Sequence, residues 1–137
     1  MTHLLDTTAL LALMLDEAGG ERVETLIDDD QVEVAISVLT KAETWARLKS
    51  LGREAAFEEE WRILLPLFGA VLEVDEGVVD ASLSLRGLAT SRLPSMDALI
   101  AGTAVRHQLI LVHRDAHFRA IPEEELPSID LTEFPAS

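Results

Sequence analysis

The segment PSMDALIAGTAV (residues 94–105) carries a carboxylate, Asp97, at the head of an apolar stripe. On a helix Asp97 shares a face with Ile100, Ala101, Ala104 and Val105, which lie three, four, seven and eight positions on. That face should point into the protein, and a charge entering a core is costly unless something pairs with it. Asp6, Glu43 and Asp115 pose the same question, because each lies just beyond an apolar run or in the helical segment that follows one. Carboxylates crowded in one crevice repel, which raises their pKa values and destabilises the fold unless a cation is present. Hard divalent cations such as Mg²⁺ and Mn²⁺ take oxygen ligands and commonly bridge carboxylates to phosphates.

These acids meet only if the elements carry them to a common edge. Residues 3–5 (HLL) read as a short buried strand, and 7–18 as a helix ended by Gly19-Gly20. A helix over 21–28, a strand over 32–37 and a helix over 38–52 with Gly52 as its stop signal follow. Residues 53–68 read as a helix broken or ended at Pro66, 70–74 as a strand, 76–91 and 96–108 as helices. The chain closes with a strand over 109–112, a helical turn over 116–121 and a last strand over 128–132. Strands alternating with helices predict a mostly parallel sheet covered on both faces. Such sheets place their sites beyond the carboxyl ends of the strands. Asp6, Asp75 and Asp115 each leave one of the first four strands there, Glu43 lies in the helix after the second, and Asp97 begins the helix before the fourth.

Each acid also has an ordinary structural role open to it. Ser95 suits an N-cap, which would put Asp97 in the first turn, where the helix dipole favours a negative charge. Asp6 suits the cap of a helix starting at Thr7, and Asp115 the cap of the turn at Ala116. Thr40 and Glu43 have capping-box spacing, although a helix starting at residue 37 or 38 would put Glu43 beyond its first turn. Glu43 could also pair with Arg47 one turn on.

The 137 residues suit one domain over 1–137. A hydrophobic share of 48% excludes a disordered chain, and the lack of cysteine excludes disulfides and thiolate metal sites. The opening MTHLLDTTALLALML is briefly apolar, but Asp6 interrupts it and no basic segment precedes it. It reads as neither signal peptide nor membrane span, so a cytoplasmic protein with no membrane association is expected. With 25 acids against 11 bases the formal charge is −14, which argues against a general, charge-driven nucleic-acid binder. It fits a basic partner, or carboxylates concentrated around a cation. The acidic runs at 28–30, 58–60 and 123–125 read as solvated surface.

Four segments, LLDTTALLALM (4–14), SVLTKAE (37–43), PSMDALIAGTA (94–104) and LILVHRDAHF (109–118), occur in this order across nearly the whole chain. Together they resemble the signature segments of PIN-domain proteins, and most closely the VapC-type ribonuclease toxins of bacterial type II toxin–antitoxin pairs. The resemblance implies a three-layer α/β/α sandwich on a mostly parallel five-stranded sheet ordered 3-2-1-4-5. It implies an acidic site of Asp6, Glu43, Asp97 and Asp115, Mg²⁺- or Mn²⁺-dependent cleavage of RNA, a homodimer, and inhibition by a cognate antitoxin. The implied strand order leaves Asp75 at the sheet edge, as a turn or cap residue. Where this chain has His113, the family usually carries Thr or Ser. Imidazole is larger and titrates near pH 6.5; it reads as tolerated at the strand end, with contact to metal or phosphate as the alternative. His113 and His117 are four apart but straddle a strand–turn junction, which argues against a helical zinc pair.

On this resemblance Asp6 and Asp97 hold the main metal, with Asp115 and Glu43 completing the site directly or through water. The metal acidifies a water, orients it in line with the leaving oxygen and offsets charge on the phosphate. Lys41, Arg47, Arg86, Arg92, Arg114 and Arg119 are candidate RNA contacts. The antitoxin is expected to bring a basic, amphipathic C-terminal segment, with one Arg or Lys entering the crevice. The apolar stretches ALLALML (9–15) and WRILLPLF (61–68) exceed what a small sheet needs to cover, which suits an interface. Two alternatives stand beside this reading: a catalytically inactive PIN-fold binding module, and a PIN nuclease acting on structured DNA. Two other α/β folds with acidic sites fail on particular residues. A receiver domain would use Asp75 but needs a Lys near its last strand, and the only lysines are Lys41 and Lys49. A haloacid-dehalogenase-type phosphatase needs a second Asp where Thr8 stands.

Overall fold

A strand of three or four residues has too few ladder bonds to stand alone; here the inner strands are buried between helices, fully so at the two that carry all-buried side chains, while the edge strands are only partly covered. The computed structural model describes residues 1–133. Residues 134–137, the end of the span read as one domain, lie outside the described residues. The strands are β1 (His3–Leu5), β2 (Val34–Ser37), β3 (Ala70–Leu72), β4 (Ile110–His113) and β5 (Ser128–Asp130). The helices are α1 (Thr7–Met14), α2 (Gly20–Asp28), α3 (Val38–Ser50), α4 (Phe57–Leu64), α5 (Glu76–Leu88) and α6 (Ser95–Arg106). All four strand pairings are parallel, in the order β3-β2-β1-β4-β5. This is the expected α/β/α sandwich.

Alternating side chains divide the core in two. Leu4, Ala35 and Leu111 pack with Leu85, Ala98, Ile100 and Ala101 from α5 and α6. Their neighbours Leu5, Ile36 and Val112 pack with Leu10, Val23, Leu48 and Trp61 from α1 to α4. The two helices over the first face approach closely at Gly102. A Cβ there would lie 2.7 Å from the Val78 carbonyl oxygen and 2.9 Å from the Ser82 nitrogen. That contact sets how closely α6, which carries Asp97, packs against α5.

Several boundaries differ from the sequence expectation. The helix read over 7–18 stops at Met14, since Leu15 is its C-cap and Asp16 takes a left-handed φ of 54°. Gly19, with φ 91°, is the N-cap of α2 and Gly20 its first residue, so this pair starts a helix rather than stopping one. Pro94, not Ser95, is the N-cap of α6; its ψ of 152° is extended and Ser95 is already helical, while Asp97 stays in the first turn. Ala89 leaves the helical region with ψ 133°, ending α5 at Leu88 rather than residue 91. The expected break at Pro66 occurs: α4 ends at Leu64 and the proline sits in a 3-10 turn, Leu65–Leu67. β4 is shifted by one residue and includes His113, and residues 131–132 belong to a 3-10 turn rather than to β5. The acidic run at 28–30 is exposed, as are Glu58, Glu59 and residues 123–125. Among the described residues no helix is long and apolar enough to cross a membrane.

Candidate metal centre

Parallel strands end on one side, so whatever follows β1, β2 and β4 shares a rim. Asp6 leaves β1 directly, and its N–H donates to the Val112 carbonyl at 3.0 Å, continuing the ladder. Its carboxylate caps α1 by accepting from the Ala9 N–H at 2.8 Å. The Thr8 hydroxyl lies 2.7 and 2.9 Å from the two carboxylate oxygens, donates to them, and accepts from the Arg114 N–H at 2.8 Å. One threonine thus ties the start of α1 to the segment leaving β4. Asp6 is only 2% exposed. Burial drives its pKa up to about 7; the Ala9 and Thr8 hydrogen bonds pull it down, while the charges of Asp115 and Asp97 push it further up.

Asp97 reaches the rim from the first turn of α6. Burial raises its pKa to about 6, helped by the charges of Asp115 and Glu43 and opposed by His117. Asp115 caps the 3-10 turn Ala116–Ala120, its Oδ1 accepting from the His117 N–H at 2.9 Å. Glu43 lies beyond the first turn of α3, because Ser37 is the N-cap and accepts from the Leu39 N–H. This removes the capping box with Thr40. Instead Glu43 Oε1 accepts from the Thr7 hydroxyl at 2.5 Å, and that hydroxyl lies 3.2 Å from Thr40 Oγ1. The four acids are therefore anchored by α1, α3, α6 and the turn after β4; the charges of Asp115 and Asp97 act on Asp6, and those of Asp115 and Glu43 on Asp97. Asp75 caps α5 through the Val78 N–H at 2.9 Å, the turn role expected of it.

The tightest grouping contains a residue that the sequence reading did not place in the site. His117 Nδ1 lies 2.9 Å from Asp115 Oδ1 and 3.3 Å from Asp97 Oδ2. Among the described residues, Asp97, Asp115 and His117 offer ligand atoms that all fall within 4.8 Å of one another. The signal was the D-A-H spacing, which on a tight turn folds the third side chain back over the first. His113 behaves differently. It is buried, its Nδ1 accepts from the Asp115 N–H at 3.2 Å, and its ring packs 4.9 Å from that of Phe118. Burial lowers its pKa. It lines a groove of about 290 Å³ that contains Phe118 and Asp130 but none of the four acids. It supports Asp115 through the backbone.

The donors at the rim are carboxylate oxygens with one imidazole at their edge, a set that fits a hard or borderline divalent cation. Of the candidate RNA contacts, Arg119 is tied to Asp130 and Thr132, and Arg114 pairs with Glu17 at 3.5 Å. Lys41, Arg47, Arg86 and Arg92 are exposed.

The family model for the PIN domain matches residues 3–124. No curated protein matches the chain. Among solved structures, FitAcB from Neisseria gonorrhoeae is similar with a TM-score of 0.76 at 25% identity, over 97% of this chain and 100% of that one. A toxin-antitoxin complex from Klebsiella pneumoniae is similar with a TM-score of 0.71 at 24% identity, over 95% and 98%. VapBC2 from Rickettsia felis, bound to a DNA fragment from its promoter, is similar with a TM-score of 0.73 at 20% identity, over 95% and 98%. With its sheet order, its rim of acids and a family match that spans most of its length, this chain belongs to the PIN domain family.

Proposed function

We propose that this chain is the toxin of a type II toxin–antitoxin pair, a VapC-type endoribonuclease that hydrolyses RNA with Mg²⁺ or Mn²⁺ bound by Asp6, Asp97, Asp115 and Glu43. The observation that carries this reading is the meeting of four acids at one rim, two of them with pKa values driven up to about 7 and about 6. A crevice that holds back ionisation when empty is one that a cation completes. The similar Klebsiella pneumoniae structure, described as a toxin–antitoxin complex, supports the biological setting.

Asp6 and Asp97 would be the principal ligands, with Asp115 beside them. A divalent cation there supplies charge neutralisation for the scissile phosphate and acidifies the attacking water. Glu43 has one carboxylate oxygen engaged by Thr7, and the other would complete the metal site directly or through water. Arg47, one turn on from Glu43 in α3, would hold a flanking phosphate, whereas Lys41 lines a groove with Val38, Ala42 and Trp45 on another side of the helix. The antitoxin would lay an amphipathic segment on the apolar surplus, which lies on the α4 side rather than on α1. Ile63 is 64% exposed and Leu65 and Leu67 are exposed, whereas Ala9, Leu10, Leu11 and Ala12 are buried. A basic residue of that segment would enter the crevice. A homodimer belongs to the same reading.

The test is cleavage of a structured RNA by the purified chain. Wild type should cut with Mg²⁺ or Mn²⁺ and stop with EDTA. Asp97→Asn should be slower by at least about 100-fold, as a lost ligand exceeds the 10–100-fold cost typical of a lost supporting contact. Cleavage indifferent to both EDTA and Asp97→Asn would sink the reading.

A further inference from the structure

Three atoms facing one point can be compared with what a cation demands. Mn²⁺ or Mg²⁺ in octahedral coordination, with bonds of about 2.1 Å, sets neighbouring ligand atoms about 3.0 Å apart. His117 Nδ1 stands 2.9 Å from Asp115 Oδ1 and 3.3 Å from Asp97 Oδ2. Those match two of the three edges of an octahedral face, and the three ligand atoms all lie within 4.8 Å of one another. The backbone under the imidazole is anchored as well. The His117 N–H donates to Asp115 Oδ1, and the next residue, Phe118, is buried in the core. The ring itself is half-exposed, so nothing in the core prevents it from adjusting to an ion.

Resting on the proposed metal-dependent reading, we infer that His117 is a further metal ligand, binding through Nδ1 in a facial set with Asp97 and Asp115. The ring hydrogen then sits on Nε2. The consequence is a choice of metal. Mg²⁺ demands oxygen donors and keeps its waters, whereas imidazole suits first-row transition ions. A nitrogen at this position makes the centre select Mn²⁺ over Mg²⁺, where carboxylates alone would discriminate less. The competing role for the ring is a stand-in for the ion, bridging two carboxylates until a cation displaces it. The two roles predict opposite effects of removing the ring.

The experiment titrates the full chain with MnCl₂ and, separately, MgCl₂ by calorimetry, for wild type, His117→Ala and Asp97→Asn. Pulsed electron paramagnetic resonance of the Mn²⁺-loaded protein then looks for coupling to nitrogen. His117→Ala should weaken Mn²⁺ binding by at least about tenfold and Mg²⁺ binding by no more than about twofold. Wild type should show nitrogen coupling that His117→Ala loses; His113 faces another groove and should not supply it. Unchanged or tighter Mn²⁺ binding in His117→Ala, or no nitrogen coupling in wild type, overturns the ligand assignment. If Asp97→Asn meanwhile abolishes binding, the carboxylate centre stands and only His117 is reassigned. If wild type binds neither ion, or Asp97→Asn binds as wild type does, both readings fall together.

Discussion

Asp6 uses one carboxylate for two purposes, capping α1 and lining the crevice, and pH should separate them. Its pKa rises from 3.8 to about 7 on folding. Between those values the folded chain keeps a proton that the unfolded chain has released, so metal-free stability must fall as pH rises across that window. For a group this buried the loss is about 4 kcal/mol. Asp97, raised to about 6, adds to the same slope. Urea melts in EDTA should show wild type weaker at pH 8 than at pH 5. Asp6→Asn, which keeps an oxygen for the Ala9 N–H, should flatten that difference, and Asp97→Asn should raise stability at pH 8 by on the order of 1 kcal/mol. Mn²⁺ should raise Tm more at pH 8 than at pH 5. A metal-free wild type most stable at pH 8 would contradict the repelling cluster. All four acids were legible in the sequence as candidates, because Asp6 and Asp115 leave strands, Glu43 lies in the helix after the second strand and Asp97 heads the helix before the fourth; the family resemblance then set Asp75 aside. Thr8 and His117 were not. The Thr8 bond to Arg114 joins residues 106 apart, and the reach of His117 depends on a turn that no periodicity announces.

Helix α6, which presents Asp97, packs closely against α5, and two glycines test that arrangement. Gly102→Ala would drive a methyl group against the Val78 carbonyl and the Ser82 nitrogen. Backbone atoms of a packed helix cannot step aside as a side-chain tip can. Overpacking of about 1–3 kcal/mol should therefore outweigh the gain of about 1 kcal/mol that alanine brings to a helix interior. Gly87, near the end of α5, has nothing within 4 Å of such a methyl, so Gly87→Ala should keep that gain. Thermal melts should show the two variants moving in opposite directions; equal shifts would mean that the α5–α6 contact does not set the spacing. Elements of this kind were legible as periodicities, but their ends were not. Gly19-Gly20 reads equally well as a stop or a start, and only the left-handed turn at Asp16 decides it. At α6 the fixed φ of Pro94 moved the cap one residue ahead of the serine that suits it by type.

On the scale of the whole chain, alternation of strand and helix was enough for a covered parallel sheet, while the strand order came with the family resemblance and not from any local pattern. That order has a consequence in time. Leu5 pairs with Ile36 on one side and with Val112 on the other. The first pairing closes a short loop; the second closes a loop over most of the chain, and non-local parallel pairings form slowly. Asp6 and Glu43 come together with the first, Asp97 and Asp115 only with the second. In refolding from urea, Mn²⁺ binding should therefore appear with the slowest phase, well after helix signals return. A chain whose β4 has not yet left the ribosome carries three of the four acids but neither Asp115 nor a closed rim, so its own synthesis delays assembly of the proposed metal centre until β4 has docked.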